Sequence, residues 1–267
     1  MKISRHNFLM KYHLTESEIE ELGLDWDTLD RIYSDYNIYK NIYDTQANFI
    51  ADTLRAHKKI HSVKSRVKDA EHLIEKIIRK TPDRRNKFGL DFQITVQNYK
   101  EQITDLIGVR AIHIFKEDWE EIHEFITNMW TVVEITANVR EGDDTRRFEE
   151  LDINIHSRKS GYRSVHYLIE SFPTNHKVIA EIQVRTIFEE GYGEIDHQLR
   201  YSHDEIPEVL RLNLLLLNRI AGSSDEMASL INMLNRNWTE LEQKYEGVIE
   251  SKNREIEELK NMISKNK

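Results

Sequence analysis

The sequence contains no cysteine. That excludes a disulfide framework and any thiolate metal site, and it fits a reducing compartment. Proline and glycine are scarce, at 3 and 9 of 267 residues. Few turns, much helix and no flexible linker are therefore expected. Long apolar runs are missing as well. The opening MKISRHNFLMKYHLTESEIEEL holds no stretch suited to a signal peptide, and nothing later approaches the ~20 apolar residues of a membrane span. The expectation is a cytoplasmic protein without a membrane partner. An excess of positive charge is also absent: the net charge of −9 argues against a protein that coats nucleic acid non-specifically.

Local charge behaves differently. Between Lys64 and Lys80 there are six basic residues against three acidic ones, and Arg158, Lys159 and Arg163 form a second cluster with no acid among them. Basic islands on an acidic chain point to a confined anionic ligand. The most informative stretch is Ala180-Glu181-Ile182-Gln183-Val184-Arg185-Thr186. On a strand, alternate side chains share a face. Ile182 and Val184 then seal a core while Glu181, Gln183 and Arg185 line up opposite, too polar a row for ordinary packing. It reads as the floor of a site.

Taken along the chain, residues 1–60 read as helical. Thr15-Glu16-Ser17-Glu18 has the form of a capping box. A long helix follows from Asp27 to about Ala56, with Leu29, Ile32, Tyr33, Tyr36, Ile42 and Phe49 at helical spacing, and a packing cap without chemistry is the better reading. Residues 62–80 read as one helix, with Leu73, Ile74, Ile77 and Ile78 inward and Lys68, His72, Lys76 and Lys80 stacked four apart. A solvated charged face is the commoner explanation of such a stripe. Like charges at this spacing nevertheless weaken a helix by ~0.2–0.5 kcal/mol per pair, which a polyanion would relieve. Residues 81–98 read as a loop. Asp105 precedes a strand from Val109 to Phe115 that carries Arg110; alone, such an Asp is usually a cap or turn residue.

A helix over Lys116–Met129 and a strand over Thr131–Ala137 continue the alternation of an α/β or α+β layer. The charged segment from Arg140 to Ser160 reads as irregular, with one strand at Phe148 to Ile155. In Gly161-Tyr162-Arg163-Ser164-Val165-His166, the glycine permits close backbone approach to a ligand, and Tyr162 beside Arg163 suits a nucleobase and its phosphate. Asp196-His197 and His203-Asp204 lack companions at ligand spacing and indicate no metal hydrolase. Glu208 to Ile220 is apolar enough to read as a buried helix. Beyond it Met227, Ile231, Leu234, Trp238, Leu241 and Tyr245 alternate spacings of four and three, and Ile249, Ile256, Leu259 and Ile263 follow after a phase slip. That is the pattern of a coiled coil or long packed helix, a candidate for self-association or for a partner.

Taken together, five motifs in order resemble the synthetase domain of the RelA/SpoT family. They are Arg66-Val67-Lys68 with Lys76 and Arg79-Lys80; Asp105 to Arg110; Gly161 to His166; Glu181 to Thr186; and Asp196 to Tyr201. Each is weak alone, and the order makes the set specific. The resemblance covers about residues 62–202. It implies an α+β fold with a mixed five-stranded sheet flanked by helices, of nucleotidyltransferase type, as a core over 61–202 between N-terminal helices (1–60) and C-terminal helices (203–267). It implies transfer of pyrophosphate from ATP to the 3′-hydroxyl of GDP or GTP, yielding guanosine tetra- or pentaphosphate, with Mg²⁺ as cofactor. Asp105 and Glu181 would be the catalytic and metal-binding acids. Arg66 and Arg110 would flank the ATP adenine, with Lys68 and Lys76 on its phosphates. Tyr162 would stack on the acceptor base, while Lys159, Arg163, His166 and Arg185 neutralise phosphates and Gln183 completes the acceptor floor. Two positions depart from the family pattern: His72 stands where a serine is usual, and Ser202 where a lysine often follows the last motif. Toxic members of the family, which modify adenine nucleotides or the 3′ end of tRNA, offer a second enzyme reading, with Arg84, Arg85, Lys87, Arg146 and Arg147 available to an RNA backbone. A catalytically inactive nucleotide- or partner-binding domain is the third. The C-terminal helix is the expected place for a homo-oligomer contact or an antitoxin.

Overall fold

The computed structural model describes residues 2–202 and 206–265, and of 200–202 and 256–265 the backbone alone. The chain opens with α1 (Arg5–Lys11), α2 (Glu16–Glu21) and α3 (Trp26–Arg55). The capping box is present: the Thr15 hydroxyl accepts from the Glu18 N–H at 3.2 Å, and the Glu18 carboxylate accepts from the Thr15 N–H at 2.7 Å. In α3, Leu29, Ile32 and Tyr36 are buried, but Ile42 and Phe49 are exposed. Tyr43, Ala47, Ile50 and Leu54 carry the inward stripe instead, so the buried face was misassigned over the second half of the helix.

Residues 62–80 are not one helix. β1 (Ser62–Val67) comes first, and Asp69 then caps α4 (Ala70–Phe88), accepting from the N–H groups of Glu71 and His72 at 2.9 and 3.2 Å. Val63, Ser65 and Val67 alternate with Lys64 and Arg66, the period of a strand, and the deciding partner is distant in sequence: β1 pairs with β2. The α4 helix also runs past Pro82 to Gly89, so the loop expected from residue 81 starts later. Proline removes one helical N–H, and the helix absorbs that loss here.

Then follow α5 (Tyr99–Gln102), β2 (Ile107–His113), a 3₁₀ turn (Lys116–Asp118), α6 (Trp119–Met129), β3 (Val132–Val139), α7 (Arg146–Glu149), β4 (Asn154–Ser157), β5 (Ser164–Ser171), β6 (Val178–Thr186), α8 (Ile187–Ser202) and α9 (Glu208–Lys265). The sheet has six strands in the order β1-β2-β6-β5-β3-β4, against the five expected. The additional strand is β1, which read as helix; the short edge strand β4, parallel to β3, falls at the end of the strand expected over Phe148 to Ile155, whose first residues lie in the single helical turn α7 instead. The β2–β6 and β3–β4 pairs are parallel and the other three antiparallel, so the mixed α+β class holds.

One face of this sheet is apolar. Val109, Ala111, Val165, Tyr167, Ile182 and Val184 lie there and belong to one core with Leu54, Leu73, Ile74, Trp119 and Ile122 from α3, α4 and α6. Phe8, Ile19 and Leu29 join the same core, so the N-terminal helices do act as a packing cap. The other face is polar and is partly roofed by α8.

The α9 helix departs from expectation. Val209, Leu212, Leu215, Leu216 and Ile220 are exposed rather than buried. Among its described apolar side chains only Leu214 and Ala221 are buried, in a small cluster with Tyr192 of α8, because α9 meets the body along one narrow side. Among the described residues no helix is long and apolar enough to cross a membrane.

Candidate active site

Register assembles the polar face. Gly108 and Arg110 of β2 lie beside Glu181 and Gln183 of β6; His166 of β5 lies opposite Gln183; Arg66 and Lys64 of β1 lie opposite Gly108 and Arg110. The row on β6 is therefore the centre of a broader polar surface, as its alternation predicted.

Its hydrogen bonds have a direction. Arg185 Nη2 donates to the Tyr162 hydroxyl at 2.8 Å, and that hydroxyl meets His166 Nε2 at 3.0 Å. His166 Nδ1 lies 3.1 Å from Glu181 Oε1. A second route runs from Arg185 to Gln183 Oε1, and from Gln183 Nε2 to Glu181 Oε2 at 2.7 Å. Both routes lead from a guanidinium to one carboxylate, and both Glu181 oxygens are engaged. With the His166 proton on Nδ1, each donor in the chain finds an acceptor. Burial opposes ionisation of Glu181, but the His166 and Gln183 contacts outweigh it and hold the carboxyl below its ordinary pKa. Burial raises the Tyr162 pKa, so its phenol stays protonated as the relay requires.

Asp105 occupies the turn before β2. Its Oδ2 lies 2.9 Å from both Lys68 Nζ and Lys76 Nζ. Burial again opposes the charged form, and the two ammonium groups more than compensate, leaving Asp105 ionised with a lowered pKa. Lys68 itself is pushed down by burial despite Asp105. The stripe read from the sequence thus divides. Lys68 and Lys76 converge on Asp105, while Lys80 pairs with Asp83 and the His72 ring packs edge-on to Tyr12. Asp105 Oδ1 is buried and accepts no hydrogen bond. The two acids also sense each other, since the charge of Asp105 works against ionisation of Glu181. Among the described residues no three acids or histidines gather into an all-protein metal cage. Two ionised carboxylates, one with an unused buried oxygen, match the donor set of Mg²⁺ when phosphate oxygens and water complete its shell.

Two acids were missed in the sequence. Glu190 and Glu194 of α8 both reach Arg110, the former at 3.2 Å, and Glu190 also holds Arg185 Nη1 at 3.0 Å. Their signal was available: acids four apart share a helix stripe and repel unless a cation joins them. Between them Gly193 leaves room that a side chain would fill, since a Cβ there would sit 2.8 Å from Arg185 Nη1 and 3.8 Å from the Tyr162 ring. Arg66, Arg110, Glu181, Gln183, Glu194 and His197 line a cleft of about 130 Å³. That is below the ~300 Å³ of an ordinary ligand pocket. Glu194, paired with Arg110, stands in the lining of that cleft.

The remaining expected residues are placed as follows. Lys159 is exposed on the turn leading to Gly161. Gly161 does give close approach, but to protein: with φ +77° its amide region meets Asn218 of α9, whose Nδ2 donates to the Gly161 carbonyl at 2.7 Å. Arg163 points away from the polar row. It is buried, with Nε 2.6 Å from Asp143 Oδ2, and it lines a separate cavity of about 540 Å³ with Lys116, Arg147 and Thr186. Neither Asp105 nor Glu181 reaches that cavity, so its size does not make it the reaction site. Several cations considered for RNA are also engaged. Arg84, Arg85 and Arg147 donate to backbone carbonyls, and Arg146 pairs with Asp144. Asp196 is buried and the adjacent His197 exposed; the side chains of Arg200, Tyr201 and Ser202, and the His203-Asp204 pair, lie outside the described residues.

Comparison with known proteins bears on the same stretch. GTP pyrophosphokinase YwaC of Bacillus subtilis (strain 168) is 29% identical over 200 residues, covering 72% of this chain and 84% of its own. YjbM of the same organism, also a GTP pyrophosphokinase, is 28% identical over 182 residues, covering 66% and 73%. The fold matches that of small alarmone synthetase 1 from Bacillus subtilis with a TM-score of 0.59 at 23% identity, over 76% of this chain and 99% of that one. The same synthetase has been solved with its product pppGpp, at a TM-score of 0.55, and with AMPCPP, also at 0.55. The region found in RelA/SpoT proteins matches residues 65–206, more than half of the chain, and takes in the polar face from Arg66 of β1 to α8. By that match the chain belongs to the RelA/SpoT family.

Proposed function

We propose that the chain is an ATP-dependent GTP pyrophosphokinase, moving the β,γ-pyrophosphate of ATP to the 3′-hydroxyl of GDP or GTP. The observation that carries this reading is the presence at one face of two largely covered, ionised acids, Asp105 between two lysines and Glu181 held by His166 and Gln183, with the Tyr162 hydroxyl bonded into the circuit of the second. YwaC and YjbM, which match over 84% and 73% of their own lengths, are both GTP pyrophosphokinases.

In this reading Arg66 and Arg110 flank the adenine, and Lys68 and Lys76 exchange part of their contact with Asp105 for triphosphate oxygens. Tyr162 offers its ring to the acceptor base, with Lys159, His166, Gln183 and Arg185 around the acceptor. Arg163 leaves the acceptor set, because Asp143 neutralises it on the other side. The acceptor 3′-oxygen attacks the β-phosphorus, the bond from that phosphorus to the α,β-bridging oxygen breaks, and AMP departs. The hydroxyl proton passes to Glu181, whose two supporting routes keep it anionic until then. Such transfers depend on positioning and charge neutralisation more than on covalent catalysis. Asp105 and Glu181 would hold Mg²⁺, which when bound neutralises charge on the transferring phosphates.

Incubation with ATP labelled at the β and γ positions, offered GDP, GTP, ATP or tRNA in turn, tests the reading. Label on GDP or GTP is expected. Label on tRNA or an adenine nucleotide alone would replace it with the toxin-type activity, and no transfer to any acceptor would leave the inactive-domain reading. The inward engagement of Arg84, Arg85 and Arg147 favours the small acceptor.

A further inference from the structure

The cavity beyond the polar row carries charge that the protein does not neutralise. Its volume of about 540 Å³ lies within the ~300–1,000 Å³ of small-molecule pockets. It opens at the end of the apolar sheet face, where His113 of β2 and Thr186 of β6 are paired neighbours. Lys116, Arg140, Arg147 and Arg163 line it. Of the acids in the lining, Asp144 and Glu226 are exposed, and Asp144 is already taken by Arg146, outside the cavity. Two acids remain within. Asp143 is shared by Arg163 at 2.6 Å and Arg140 at 3.4 Å, and Glu189 accepts from the Thr186 N–H at 2.9 Å where α8 begins. Asp225 is close by but does not line the cavity, and burial lifts its pKa to about 7. His113 adds no charge, because burial lowers its pKa and its Nδ1 meets the Phe115 carbonyl at 2.9 Å. Four cations against two acids leave two positive charges in excess.

The excess sits on two side chains. Among the described residues neither Lys116 nor Arg147 forms an ion pair. Arg147 makes one hydrogen bond there, from Nη1 to the Lys116 carbonyl at 3.1 Å. Its guanidinium lies over the rings of Trp119 and Phe148, at 5.1 and 4.7 Å, which fix its place but supply no counter-ion. Burial pushes its pKa down, and the charges of Glu189, Glu120 and Asp144 do not restore it. A covered guanidinium without an anion is costly, and this one has donors left over. We propose that the cavity binds a small organic phosphate monoester. Such a group carries about −1.5 to −2 charge on three acceptor oxygens, which is what the lining lacks. Arg147 would meet it with its remaining N–H groups and Lys116 as a point charge, while Arg163 stays with Asp143. A single carboxylate would leave one of the two cations unmatched. Inorganic phosphate would leave the wall of Val139, Val165 and Val184 uncovered, so the ligand has an organic body. The inference does not depend on the reaction assigned to the polar row, none of whose residues line this cavity.

The test is titration calorimetry of the full chain with ribose 5-phosphate and with phenyl phosphate, which share the phosphate and differ in the body. Ribose, which lacks the phosphate, is the control. Saturable binding of at least one of the two phosphates is expected, and none of ribose. Affinity should fall by about 10-fold or more in Arg147→Met and in Lys116→Met, the loss of one charged hydrogen bond. Lys76→Gln, on the polar row, should leave it within about two-fold. Circular dichroism and thermal unfolding of each variant keep a folding defect from passing as a lost site. Lys116→Met decides if Arg147→Met, which also loses its ring contacts, does not fold. The better of the two phosphates identifies the body the apolar wall accepts, a sugar or an aromatic ring. No saturable binding, or binding that survives in both cavity variants, would overturn the site. So would binding that is lost in Lys76→Gln, since the polar row would then be the binder. Ribose binding as tightly as ribose 5-phosphate would overturn phosphate as the recognised group.

Discussion

The two faces of β6 are a residue apart in sequence and opposite in physics. Ile182 and Val184 are fully buried among the side chains of the core, and each contributes through area removed from water. Arg185 is as deeply buried, and Glu181 and Gln183 are largely covered, yet these three contribute through paired charge: an acid and a buried guanidinium linked by two hydrogen-bonded routes. One face tolerates exchange of like-sized apolar groups. The other depends on particular atoms. The difference teaches that burial alone does not separate structure from function on this strand; the kind of partner does.

Glu181→Gln should break the comparison from the polar side, lowering turnover by about 10³-fold or more while the thermal midpoint moves by only a few degrees. Single-turnover assays beside thermal unfolding would check it, and unchanged turnover would remove Glu181 from the chemistry. Ile182→Ala attacks the other face. It should cost about 2–5 kcal/mol in urea unfolding, with turnover per folded molecule largely kept.

Asp225 sharpens the contrast between acids. It is fully buried on α9 and neither oxygen has a hydrogen-bond partner; burial first, then Glu189, pushes its pKa up to about 7, with Thr186, Lys116 and Arg163 pulling the other way. Between its ordinary value near 4 and about 7 the folded chain keeps a proton that the unfolded chain has lost, so its contribution to stability falls as pH rises through that window. Glu181 has the opposite sign, because its folded pKa is lowered: its contribution is present above the ordinary carboxylate range and lost as pH falls through the folded value. Asp225→Asn should therefore stabilise the chain on the order of 1–3 kcal/mol at pH 8 and much less at pH 4, measured by unfolding at both. The smallest effect belongs to Glu194→Gln. Weakening one of the two acids on Arg110 should lower the KM for ATP by about 3- to 5-fold, a cost near that of a partly exposed ion pair, and leave kcat within about two-fold.

The site's centre was legible because a strand has a period of two: the alternation around Ile182 and Val184 already separated the faces. The stripe from Lys68 to Lys80 was read as helical, but Lys68 precedes the helix that carries Lys76, and it is Asp105 that brings the two lysines together. What stayed hidden was settled at a distance. β1 reads as the start of a helix until β2 pairs with it. The edge strand β4 has only β3 to fix it. Arg163 resembles a phosphate ligand until Asp143, from a charged loop with no periodicity, is folded against it. Leu212, Leu215 and Leu216 resemble a core because hydropathy reports what a helix would bury, and only the fold reveals whether anything is there to bury it.

The bond between Asn218 and the Gly161 carbonyl has a consequence for how such a protein diversifies. The loop carrying Tyr162 is fastened from outside the family-matched segment, by a helix that a relative can lengthen, shorten or lose without touching a residue of the polar row. A change in the tail can then reset the position of that loop while every residue of the polar row stays as it was.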